Sequence, residues 1–267
     1  MFPLDNPFIL KSLIISFWLS ITFALLGIFI FIKRMSFFSD GIAHAAVLGL
    51  AVALIFNLNI LIFSLLVGVF FSILIFFLER KTKIHTDTLI GLVFVSSLSL
   101  GLILTTTKFN YQTDLLNFII GNILTISDLD YLITIIFAIF ISLILIWKFD
   151  KILLALLDPV EAKIKKINIT LYELLFYIII GISVILGIKL VGVILVTAFL
   201  ILPPAISSLI SKSFRTFLEL SIIFAVITVI LGFLISNMYN LPLGASMVLC
   251  GSVIFFISFL VKNLLKL

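Results

Sequence analysis

One cysteine, two histidines and twelve acidic residues are the thiol, imidazole and carboxylate groups that this chain of 267 residues offers as metal ligands. The single thiol, Cys250, excludes an intramolecular disulfide and any multi-thiolate metal centre. Its apolar neighbours make it a packing residue. Charged residues are 11% of the chain, against roughly 25% in soluble domains. No low-complexity tract and no soluble domain is legible. Catalytic signatures are missing too: there is no HExxH pair, no GxSxG elbow, no Walker phosphate loop and no paired intramembrane aspartates. The chain cannot hydrolyse ATP alone.

What is present is hydrocarbon. Hydrophobic residues make up 64% of the chain, far more than a water-facing globule can hide without large apolar patches. They come in blocks of about 17 to 25 residues, the length that crosses roughly 30 Å of lipid at 1.5 Å per residue. The expected fold is all-α, a polytopic membrane protein whose 267 residues form one transmembrane domain. Nine spans are predicted, at 8–32, 39–56, 60–78, 88–106, 130–147, 171–188, 190–211, 217–236 and 243–261. The first block is too long for a signal-peptide core and has no cationic residue before it, so it reads as a permanent span. The solvent is membrane lipid.

Basic residues sort by side. Fourteen of the seventeen lie at one set of span ends, and only Lys11, Lys108 and Lys189 lie at the other. The positive-inside rule then puts the N-terminus outside and the C-terminus in the cytoplasm. This sorting accounts for the net charge of +5 with no need of nucleic acid as a partner.

Two segments differ from plain spans. Residues 114–125 are too short to cross and suggest an interfacial or re-entrant helix on the outer side. The longest cytoplasmic connection, about 150–170, holds Asp158-Pro159, a capping residue followed by a proline suited to the first helical position. A short amphipathic helix is expected from there, through Glu161, Ala162 and Ile164 to Ile167.

Few polar residues fall inside the spans. Asp40 and His44, at the start of the second, are one helical turn apart and share a face, about 6 Å apart along the axis. A carboxylate with an imidazole suits a borderline divalent cation such as zinc or manganese. One chain supplies two ligands, and a two-fold dimer would supply four. The alternative is structural, with Asp40 capping its helix and His44 hydrogen-bonded in the bundle. His85, beside Lys81 and Lys83, reads as a solvated loop residue. Thr86 or Asp87 is placed to cap the fourth span. Pro203 and Pro204 are expected to break the helical hydrogen-bond ladder of the seventh span, a pathway-helix break facing protein or a cavity, or else a packing kink. Glu173 and Glu219 sit at cytoplasmic ends and read as interfacial.

Five blocks in order, KRMSFFSDGIAHAAVLGLA, TDTLIG, DLLNFIIGNIL, LVGVILVTAFLILPPAISSLIS and LPLGASMVLCGSVIFFISFL, resemble the permease subunits of bacterial zinc and manganese ABC importers, the zinc-uptake branch most closely. The resemblance implies a type II importer-like homodimer in the bacterial cytoplasmic (inner) membrane. It also implies a separate cytoplasmic ATP-binding subunit and an extracytoplasmic metal-binding protein. No cofactor would be held permanently; zinc or manganese would be cargo. Asp40 and His44 match the family's pathway ligands. The stretch with Asp158, Pro159, Glu161, Ala162, Lys163 and Ile164 matches its ATPase-coupling helix. Two departures stand out: Lys166 where the family carries glycine, and Pro203-Pro204 where it carries Pro-Ala. A rival reading is a secondary transporter driven by an ion gradient, which would need intramembrane acids and often shows repeats. Apart from Asp40 the spans are nearly free of acids, and the halves show no clear repeat. An intramembrane enzyme lacks a nucleophile.

Overall fold

The computed structural model describes residues 7–106 and 128–265, all of whose regular structure is α-helical. The helices are α1 Pro7–Lys33, α2 Phe38–Phe56, α3 Ile60–Lys81, α4 Thr86–Thr106, α5 Asp128–Trp147, α6 Phe149–Leu157, α7 Pro159–Ile164, α8 Ile169–Val191, α9 Val193–Ile210, α10 Phe214–Tyr239 and α11 Leu243–Leu265. Among the described residues, eight helices are long and apolar enough to cross a membrane, or nine if a bent pair counts as one span. That pair is α5 and α6, which meet at 66°. The chain is a multi-pass membrane protein. The expected helix at 114–125 lies outside the described residues.

Most predicted spans coincide with a helix, and the differences have local causes. The seventh span was expected from residue 190, but α8 runs on to Val191 and the break falls at Gly192, with φ at 82°. Lys189 marks a charge in the sequence, yet a charge does not end a helix; a positive φ does. Helix α10 begins at Phe214 because Ser213 and Thr216 form a reciprocal capping box. It ends at Asn240, which takes the left-handed conformation with φ at 52°. Helix α4 starts at Thr86, so the expected cap residue is its first helical residue instead.

The chain folds as two compact units, Met1–Phe31 with Asn122–Leu145 and Leu190–Leu267, and Ile32–Gly121 with Ile146–Lys189. In the first, α9, α10 and α11 pack on one another. The Ser207 hydroxyl donates to the Phe217 carbonyl at 2.7 Å, and Thr22 meets Ser142 at 2.9 Å, so polar side chains join helices without reaching lipid. In the second, α2 is the central helix, packed against both α3 and α4. That packing buries its small residues Ala43, Ala45, Ala46 and Ala53.

Candidate functional site

Asp40 and His44 belong to the second unit, on the first two turns of α2. The cap position is Phe37, whose side chain makes no capping bond, so Asp40 is a first-turn residue inside the helix. A carboxylate there faces the positive end of the helix dipole. Asp40 and His44 are both partly exposed. The Nδ1 atom of His44 is nevertheless shut off from solvent and has no hydrogen-bond partner among the described residues. The ring meets Phe94 of α4 edge-on, with centroids 4.4 Å apart. A buried polar nitrogen without a partner costs about 1–3 kcal/mol. That is an observation a core histidine fits badly and a part-time ligand fits well. No group of three His, Cys, Asp or Glu side chains among the described residues could hold a metal. Asp40 and His44 thus lie one turn apart on α2, with no third such side chain grouped with them among the described residues.

The 158–164 segment forms as expected at its start. Asp158 Oδ1 accepts from the amides of Val160 at 3.1 Å and Glu161 at 2.9 Å, and Pro159 opens α7. Glu161 pairs with Lys165 at 2.7 Å; that hydrogen bond holds the lysine above its ordinary pKa. The apolar face differs from expectation. Ala162 is fully buried within the chain, while Val160 and Ile164 are 70% and 76% exposed, and Leu157 at the end of α6 is also exposed. Lys166 ends the helix in the left-handed conformation, φ 55°. Its amide donates to Lys163 O at 3.0 Å, and the Ile167 amide to Ala162 O at 2.9 Å. This double bond pattern is a Schellman closure, with lysine at the position glycine would occupy.

Pro203 and Pro204 are buried inside α9, which continues through both. The prolines remove donors without ending the helix. A residue that the sequence left unremarked is Glu79, at the end of α3. It accepts from Lys33 at 3.3 Å, from Thr86 at 2.8 Å and from the Tyr177 hydroxyl. Its partners lie up to 98 residues away in sequence, and the only local signal is a lone acid in the sequence FFLERK.

The whole chain has counterparts among known proteins. It is 33% identical over 257 residues to the manganese import system permease protein ScaB of Streptococcus gordonii, covering 96% of this chain and 92% of that one. It is 32% identical over 240 residues to the high-affinity zinc uptake system membrane protein ZnuB of Buchnera aphidicola subsp. Baizongia pistaciae, covering 90% and 92%. Among solved structures it resembles PsaBC from Streptococcus pneumoniae in complex with Fab, at a TM-score of 0.80 and 31% identity over 95% of this chain and 91% of that one. The helices and these full-length likenesses agree with the match of residues 5–262 to the ABC 3 transport family, and the chain belongs to that family.

Proposed function

We propose that this chain is the membrane-spanning permease of an ATP-driven importer for a divalent transition-metal ion, and not itself an enzyme. The observation that carries the reading is the Asp40–His44 turn, whose buried imidazole nitrogen has no partner among the described residues, in a chain of this family. Zinc is the cargo that an imidazole ligand favours. Manganese is the rival, because relatives of nearly equal identity are named for either metal. A second copy of the chain would complete the ligand set, making a homodimer of type II importer form. ATP would be hydrolysed by a separate cytoplasmic subunit docked on α7, and an extracytoplasmic binding protein would deliver the ion.

The charge asymmetry supports nine spans, with the bent α5–α6 pair carrying one of them. It also supports an outer N-terminus and a cytoplasmic C-terminus, in the bacterial cytoplasmic membrane. ATP binding would shift the permease between outward-open and inward-open states by binding one of them better. The test is uptake of radioactive zinc and manganese by cells lacking and regaining this chain. Restored ATP-dependent uptake of one metal, resisted by excess of the same metal, is the expected result. Uptake that follows an ion gradient and survives loss of ATP would establish the secondary-transporter reading instead.

A further inference from the structure

Seven polar side chains gather at one end of the second unit: Lys33 at the end of α1, Glu79 and Arg80 of α3, Thr86 of α4, and Thr170, Glu173 and Tyr177 of α8. Arg80 binds Glu173 at 3.0 Å and Thr170 at 2.6 Å. Lys33 spans both acids, at 3.3 Å from Glu79 and 3.9 Å from Glu173. At the centre is Glu79, which accepts from three different helices. Three donors, one of them cationic, are a strong hold on a carboxylate in a partly desolvated setting.

Two of these bonds lead to the walls around Asp40 and His44. The first runs through Tyr177, which is fully buried. Its hydroxyl donates to Glu79 and also touches Met35 Sδ at 3.6 Å. Its ring meets Phe38 edge-on, with centroids 5.5 Å apart. Phe38 is the first residue of α2, two positions before Asp40. The second runs through Thr86, the first residue of α4. That helix carries Ile90, which closes on Gly41 so tightly that a β-carbon there would lie 2.7 Å from Ile90 Cγ2. It also carries Phe94, the ring against His44.

We propose that Glu79 is a positioning residue for the ion pathway, setting the register of α2 and α4 around Asp40 and His44 through Tyr177 and Thr86. The proposal rests on the reading of Asp40 and His44 as ligands. Groups that orient metal ligands from behind change affinity by about 10–100-fold when removed, and a misplaced turn of α2 would act in the same way.

The experiment measures Mn(II) binding to the purified full-length permease in detergent, from the loss of the free-ion EPR signal, beside the thermal midpoint of each variant. Tyr177→Phe keeps the ring against Phe38 and deletes only the hydroxyl; Glu79→Gln keeps an acceptor, and Glu79→Ala removes it. Expected are a rise in half-saturating Mn(II) of about tenfold for Tyr177→Phe, a larger rise for Glu79→Ala, partial rescue in Glu79→Gln, and an unchanged midpoint for Tyr177→Phe. If Asp40→Asn abolishes binding while Tyr177→Phe and Glu79→Ala bind normally, the positioning role is overturned and the ligand reading stands. If binding survives Asp40→Asn, or the wild type binds neither Mn(II) nor competing Zn(II), the ligand reading fails and this proposal fails with it. A loss of binding matched by a fall in midpoint, not rescued by Glu79→Gln, would make Glu79 a packing residue only.

Discussion

The carbonyl oxygen of Leu200 lies against Gly27 so closely that a β-carbon built on Gly27 would stand 2.2 Å from it. Pro204 removes the donor that this carbonyl would otherwise meet one turn later in α9. A backbone Cα–H can offer a weak substitute contact, and only glycine lets two membrane helices approach so far. Pro204 and Gly27 are thus parts of one contact, between α9 and α1 in the first unit. Gly27→Ala should destabilise the protein by about 1–3 kcal/mol, as overpacking against an unyielding backbone does. Gly91→Ala is the control, since nothing lies within 4 Å of its β-carbon. Equal thermal midpoints for the two variants in detergent would contradict the close approach.

Contacts of that kind mark the limit of what the sequence discloses. Hydropathy and turn chemistry place the helices well, because lipid forces each span to satisfy its own backbone. Asp158 could be read as a cap because its partners are two and three residues away. The orientation of Ala162 could not, because six residues are too few for a 3.6-residue period to show which side faces in. Helix α6 went unseen for the same reason: nine residues with Ile152 and Ala155 buried resemble any short apolar loop. Glu79 shows the deeper difficulty. A single acid beside Arg80 and Lys81 reads as a solvated helix end, and its bond to Tyr177 is visible only once the chain is folded.

Lys166 holds a left-handed conformation that costs a residue with a β-carbon about 1–2 kcal/mol. Lys166→Gly should therefore stabilise the end of α7 by about 1 kcal/mol, less what glycine loses through its more flexible unfolded chain. Hydrogen exchange of the Lys166 and Ile167 amides should slow by about fivefold, the factor such a gain corresponds to. Faster exchange in the glycine variant would show that the Schellman closure does not govern this segment.

Val160 and Ile164 are the exposed apolar residues of α7, and under the proposed function they would meet the ATP-binding subunit. Ile164→Asp should weaken copurification of the ATP-binding subunit by about tenfold, as loss of an apolar anchor does, with normal membrane levels. Ala162→Asp should instead lower the amount of folded protein, since it buries an unpaired charge. In a Cys250→Ser background, a cysteine at position 160 should react with an impermeant thiol reagent only from the cytoplasmic side. Labelling from outside would reverse the orientation proposed for the chain.

The His44 Nδ1 atom, buried with no partner among the described residues, separates a transport role from a structural one by the sign of a stability change. If His44 served the fold, His44→Leu would destabilise the protein. As a ligand left unsatisfied between ions, its loss should instead relieve part of the roughly 1–3 kcal/mol cost of the orphaned group, so His44→Leu should melt at or above the wild-type midpoint. Metal uptake should fall to background in the same variant, the exchange of function for stability seen at strained functional residues. Asp40→Asn supplies the matching test. Inside the first turn of α2 the Asp40 carboxylate gains only the helix-dipole attraction, about 0.3–1 kcal/mol, so a structural Asp40 would tolerate the isosteric change with little loss. A ligand would not, because the charge that helps the ion shed water is gone. Uptake of zinc and manganese should therefore be lost in Asp40→Asn while expression and thermal midpoint hold. Normal uptake by that variant, or a clear drop in the His44→Leu midpoint, would remove these two residues from the pathway.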